Sequence, residues 1–168
     1  DSTMLGMLER VGLNLTHSSE LRGPVVSPNV TKPAVMRRFL ALGASPHETA
    51  TTSTITLPAL SYAAGQAAAP AVVALLDHGA DPNARGSRGL TPLMMAAPDV
   101  DKVRLLIARG ADVKHRGAAG TDALTIAAAY YGTSASLRAL LDAGAEAQPS
   151  ERGRHSPMQY AAMSGDTE

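Results

Sequence analysis

The side chains best suited to chemistry near neutral pH are five histidines, His17, His47, His78, His115 and His155, which recur at separations of 30, 31, 37 and 40 residues. Histidine titrates in this range and is the commonest metal ligand, so a regular series raises the question of a metal ladder. Direct coordination at about 2 Å needs ligands that converge. One histidine per unit of thirty-odd residues instead leaves each about a helix diameter from the next. The series therefore reads as ordinary surface histidines. The chain has no cysteine, which removes disulfides, thiolate metal sites and a cysteine nucleophile. Thr49, Thr51, Thr52, Ser53 and Thr54 cluster, yet no base and orienting acid accompany them in an arrangement that would activate a hydroxyl. The glycines of GLNL, GASP and GSRG follow no strand and do not form a phosphate-binding loop. No catalytic residue, metal or cofactor is expected, and His115 and His155 are the best candidates for a site hidden in the loops.

The residues do offer local charge. Fifteen basic residues balance fifteen acidic ones, so the whole chain has no long-range pull toward nucleic acid or an anionic membrane. Six of the fifteen nevertheless fall in three short segments, Arg85 with Arg88, Lys114 with Arg116, and Arg152 with Arg154, opposed there only by Glu151. Side by side, these segments would form a basic ridge suited to a protein or peptide with an acidic patch. Charged, solvated loops are the competing reading of the same residues. Nucleic acid is disfavoured, because the segments carry neither stacking aromatics nor a helix to offer a groove. Tyr130 and Tyr131 are a second candidate contact, tyrosine being effective at interfaces.

What must position these residues is a repeat. A glycine followed by a small or apolar residue recurs at Gly12, Gly43, Gly79, Gly110 and Gly144. Four residues before each stands Leu8, Phe39, Leu75, Leu106 or Leu140, and seven before stands Leu5, Met36, Val72, Val103 or Leu137. Apolar positions three apart share a helical face, so each glycine closes a short amphipathic helix. Twelve residues after the last three glycines come Thr91, Asp122 and Ser156, each able to cap a new helix. They open TPLMMAA, DALTIAA and SPMQYAA, with a related LPALSYAA from Leu57 and prolines Pro92 and Pro157 in the first turn. The paired alanines let these first helices approach their neighbours closely. Aromatics make up only 3% of the chain, so its core must be built from small and aliphatic side chains.

TPLMMAA followed by VRLLIARGADV resembles the ankyrin repeat, most fully over Leu57 to Gly165 and more weakly from Leu5 to Pro46. The resemblance implies an all-α fold, an ankyrin-type helical repeat solenoid of about five repeats with projecting hairpin-like loops. Its first helices and loops would line a concave binding face, here from Leu90 through Ser164. Arg85, Arg88, Leu90, Lys114, His115, Arg116, Tyr130, Tyr131, Arg152, Arg154, His155 and Met163 are the expected contact residues. Ser61, Met94, Thr125 and Gln159 stand where the family has a loop-bracing histidine, which implies looser loops.

Residues 1–168 read as one repeat domain, with units at 1–20, 21–54, 55–88, 89–119, 120–153 and 154–168 and incomplete terminal units. Glu9 replaces the Leu40, Leu76, Ile107 and Leu141 of later units and would partly cap the front of the stack. Nothing similar protects the back, so the chain is expected to be a segment of a longer array. The loop after Gly43, ETATTSTIT, is about three residues longer than its counterparts. No charge occurs between Glu48 and Asp77, but Pro58, Gly65, Gln66 and Pro70 argue against a membrane helix. A soluble chain, cytoplasmic by default, is the expectation. The function expected is a protein–protein interaction module without intrinsic catalysis, or a regulatory array docked on a catalytic domain of a larger protein.

Overall fold

The computed structural model describes residues 29, 31–51, 54–118 and 120–147. Among them, helices α1 (Pro33–Ala41), α2 (Ala59–Gln66), α3 (Ala69–Asp77), α4 (Pro92–Ala96), α5 (Val100–Ala108), α6 (Ala123–Ala128) and α7 (Ser134–Asp142) follow in order. A short hairpin of β1 (Thr49–Thr51) and β2 (Thr56–Pro58) stands between α1 and α2, and a 3-10 turn spans Ser87–Gly89. The fold is therefore mostly helical and departs from the all-α expectation in the threonine-rich segment. There β-branched residues favour extended backbone, Ala50 pairs with Leu57, and the Thr51 and Thr56 hydroxyls meet at 3.1 Å.

The helices form two rows. In one, α2 packs on α4 and α4 on α6; in the other, α1, α3, α5 and α7 pack in sequence, and α2–α3, α4–α5 and α6–α7 pair across the rows. Met36, Val72, Leu75, Val103, Leu106 and Leu140 are fully buried between them, as are the alanine pairs at 63–64, 96–97 and 127–128. Small residues permit this close packing: a Cβ on Gly65 of α2 would lie 2.9 Å from the Met95 methyl of α4.

Each second-row helix ends in the same way. At Gly110 the backbone takes φ +87°, a conformation nearly free to glycine alone. The Gly110 N–H then donates to Ile107 O and the Ala111 N–H to Leu106 O, both at 3.0 Å, which satisfies two orphan carbonyls of α5. Gly43, Gly79 and Gly144 repeat the pair of bonds, and the alanine after each is buried.

The expected caps form at both described positions. Thr91 accepts from the Met94 amide, while the amide and hydroxyl of Thr125 both donate to Asp122 at 2.7 Å. Ser156 lies outside the described residues. Helix α2 has no side-chain cap; its first amide, Ala59, donates to Glu48 O at 2.7 Å, so the residue preceding β1 takes that role. At its other end, buried Lys102 of α5 donates to Ala64 O at 2.9 Å and Ala67 O at 3.0 Å. This ammonium supplies the positive charge that a helix C-terminus favours, and its Asp99 partner at 3.2 Å also caps α5.

Candidate partner-binding surface

The loops that precede α4 and α6 carry the charged residues, and backbone geometry fixes them against one another. Arg88, inside the 3-10 turn, has φ +61°, the one positive value on a non-glycine among the described residues. That conformation turns its carbonyl toward the next loop, where the Ala118 amide donates to it at 2.7 Å. A Cβ on Gly117 would stand 2.9 Å from the same carbonyl, so only glycine fits this approach. His115 donates from Nε2 to Gly89 O at 3.0 Å, because a carbonyl can only accept. Asn83 spans the same two units: its Nδ2 donates to Gly110 O at 2.9 Å, and its Oδ1 accepts from the Asp112 amide at 2.7 Å. Arg109 and Asp77 add an exposed ion pair at 2.8 Å between the ends of α5 and α3.

The loops thus have side-chain and backbone braces, although Ser61 and Met94 occupy the expected bracing positions and are simply buried. The Ser61 hydroxyl has no hydrogen-bond partner. Half-buried Thr125 serves the cap of its own helix.

The four described cations of the expected ridge differ in their surroundings. Arg85 and Arg88 are exposed, and no described carboxylate lies within ion-pair distance of either. Lys114 meets Glu146 of the following unit at 2.8 Å. The hydrogen bond and charge of this pair raise the Lys114 pKa and lower that of Glu146. Arg116 approaches the largely buried Asp122 at 3.7 Å. Lys114, Arg116, Asp122 and Glu146 line a cleft of about 230 Å³ with Val113 and Ala145. Of the four described ridge cations, Arg85 and Arg88 are the two without a described counter-ion. Arg152, Arg154, His155 and Met163 lie outside the described residues.

Leu90 is half-buried against the core and its carbonyl accepts from the Gly86 amide at 2.8 Å, so most of its role is in the loop itself. Tyr130 and Tyr131 stand beyond the C-terminal end of α6 and are 52% and 79% exposed. Gly132, at φ +73°, and Thr133 set their turn. The buried Thr133 hydroxyl reaches Ala127 O at 2.6 Å and Tyr130 O at 3.0 Å. Leu141 is 48% exposed on α7.

His47 and His78 are exposed, and His78 Nδ1 bonds Ala74 O at 2.8 Å. No group of three His, Asp or Glu side chains comes together among the described residues. No helix of the described residues is long and apolar enough to cross a membrane.

A further column emerges from the register. Tyr62, Met95 and Ile126 each immediately precede an alanine pair on α2, α4 and α6, and each is half-buried and packed on the core. The sequence holds the signal, since Tyr160 shares the position before Ala161, but only the structure shows that the three retain exposed surface.

The family model for the ankyrin repeat matches residues 88–118, which run from Arg88 through α4 and α5 to the next loop. No curated protein matches the chain.

Proposed function

We propose that this chain is a protein–protein interaction module, an ankyrin-type solenoid of about five repeats over residues 1–168. On this reading it grips a protein or peptide partner through the face formed by the first-row helices and the loops before them. Ankyrin repeats generally mediate such interactions, and residues 88–118 match one. The observation that carries the reading is the pair Arg85 and Arg88, exposed and without a described counter-ion, on loops tied to the next unit through Asn83 and His115. Fixed loops present charge with little ordering cost on binding, and exposed arginines favour an acidic partner patch. The reading assigns no catalytic role to any residue.

Affinity capture from native lysate tests this reading, comparing the intact chain with a variant carrying serine at Arg85, Arg88, Lys114, Arg116, Arg152 and Arg154. Equal helicity of the two is the control. A protein held by the intact chain and lost by the variant is the expected result. A partner that the variant retains equally would overturn the ridge, and capture of nothing by either would overturn the module reading.

A further inference from the structure

We infer that the outer face of α1, α3, α5 and α7, turned away from the first-row helices, is a second docking surface. It takes an acidic peptide segment of a partner, holding carboxylates with three arginines and one apolar side chain in a cavity beside Val73. This goes beyond the module reading, whose loops and first-row helices are other elements of the chain.

The register defines the face. Arg37, Val73, Arg104 and Arg138 stand two residues before Phe39, Leu75, Leu106 and Leu140 respectively, all four of which are buried in the core. Two residues turn an α-helix by about 200°, so the earlier position of each pair points away from the core. Arg37, Arg104 and Arg138 are accordingly exposed, and Val73 is half-buried. Because α1, α3, α5 and α7 pack in sequence, the four positions form one line across the stack.

The line carries uncompensated charge. No described carboxylate lies within ion-pair distance of Arg37, Arg104 or Arg138. The acids exposed on the same helices are Asp77, Asp101 and Asp142, and Asp77 is already met by Arg109 at 2.8 Å.

Where the line passes from arginine to valine, the surface is hollow. A cavity of about 410 Å³ is lined by apolar Ala69, Pro70 and Val73 of α3 and by polar Arg37, Asp77 and His78. Ligand sites of roughly 300–1,000 Å³ are common, and this one has room for a leucine or phenylalanine side chain. Arg37 lines the same cavity, so a carboxylate next to that side chain meets a planar cation suited to it.

Extent and pattern select a peptide among anions. Helix axes about 8–10 Å apart put Arg37 and Arg138 on the order of 24–30 Å from each other, more than one small anion spans. A nucleic acid or an anionic membrane presents phosphates at every step, and Asp101 and Asp142 along the line would repel them. A peptide sets acids opposite the arginines, leaves them out opposite the aspartates, and supplies the apolar side chain.

The test uses twelve-residue peptides of alternating glutamate and glycine, about 40 Å long when extended, which differ only in a central glycine, leucine or phenylalanine. Their binding to the 168-residue chain is followed by fluorescence anisotropy at low salt. The leucine or phenylalanine peptide should bind at least about tenfold more tightly than the glycine peptide. Val73→Glu should remove that advantage. Arg37→Gln/Arg104→Gln/Arg138→Gln should weaken every peptide at least about tenfold, whereas Arg85→Ser/Arg88→Ser should leave the advantage in place. Circular dichroism checks that each variant keeps its helicity, and the glycine–leucine–phenylalanine comparison with the glutamine variant keeps the test decisive if Val73→Glu fails to fold. Equal binding of the three peptides, undiminished binding to the glutamine variant, or loss of the advantage in the serine variant would overturn the outer-face site. Tighter binding of a twelve-nucleotide DNA strand or of phosphatidylserine vesicles, lost in the glutamine variant, would overturn the peptide as its occupant. None of these results decides the module reading, which falls only on empty affinity capture.

Discussion

Lys102 joins two units through three partners, and its removal isolates what one buried ammonium contributes. In Lys102→Met the apolar stem is kept while Ala64 O and Ala67 O lose their shared donor. Unpaired buried acceptors cost about 1–3 kcal/mol each, so a loss on the order of 2–4 kcal/mol is expected. Urea unfolding should show it as a lower midpoint at unchanged slope. Ser61 is the opposite case: its buried hydroxyl already lacks a partner. Ser61→Ala should be neutral or stabilising by up to about 1 kcal/mol, read as an equal or higher melting temperature. The Lys114–Glu146 pair makes a pH-dependent prediction. Glu146 titrates below the ordinary glutamate range because the Lys114 hydrogen bond and charge favour its ionised form. Its contribution is present above the unfolded carboxyl pKa and fades as pH falls through the folded one. The Lys114 contribution holds below the unfolded lysine pKa and fades as pH rises through the raised folded value. Lys114→Met should therefore move the NMR titration midpoint of Glu146 upward, toward the ordinary range.

At the scale of elements, the glycine-closed helices are legible in the sequence because each is set by local chemistry. An apolar pair three apart, a glycine and an alanine specify α1, α3, α5 and α7 without reference to the rest of the chain. Gly110→Ala tests that logic. A side chain at φ +87° is strained, and a cost of about 1–2 kcal/mol is expected in equilibrium unfolding. The caps Thr91 and Asp122 are legible for the same reason, their bonds spanning three residues. The hairpin is not, because Thr49–Thr51 and Thr56–Pro58 are three-residue strands, too short to set a period, and the burial of the second does not alternate. Lys102, Asn83 and His115 are not legible either. Their partners lie 26 to 38 residues away, and nothing local distinguishes them from surface polar residues. The ridge was half legible: sequence locates its cations, but the pairing of Lys114 with Glu146 spans 32 residues.

For the whole molecule, the balance of fifteen basic and fifteen acidic residues gives no net field, so any electrostatic selectivity must come from how the surface distributes charge. Of the described ridge cations, Arg85 and Arg88 are exposed without a described counter-ion, on a loop held to the next unit through Asn83 and the backbone. Binding should therefore depend on the fixed spacing between units that Asn83, His115 and Lys102 maintain. The most direct measurement is the dissociation constant of the captured partner for the intact chain and for Arg85→Ser/Arg88→Ser, at low and at high salt. A loss of at least about tenfold in the variant at low salt, narrowing as salt screens the charges, is expected. Equal affinity of the two chains at both salt concentrations would contradict binding through the arginine-bearing loops.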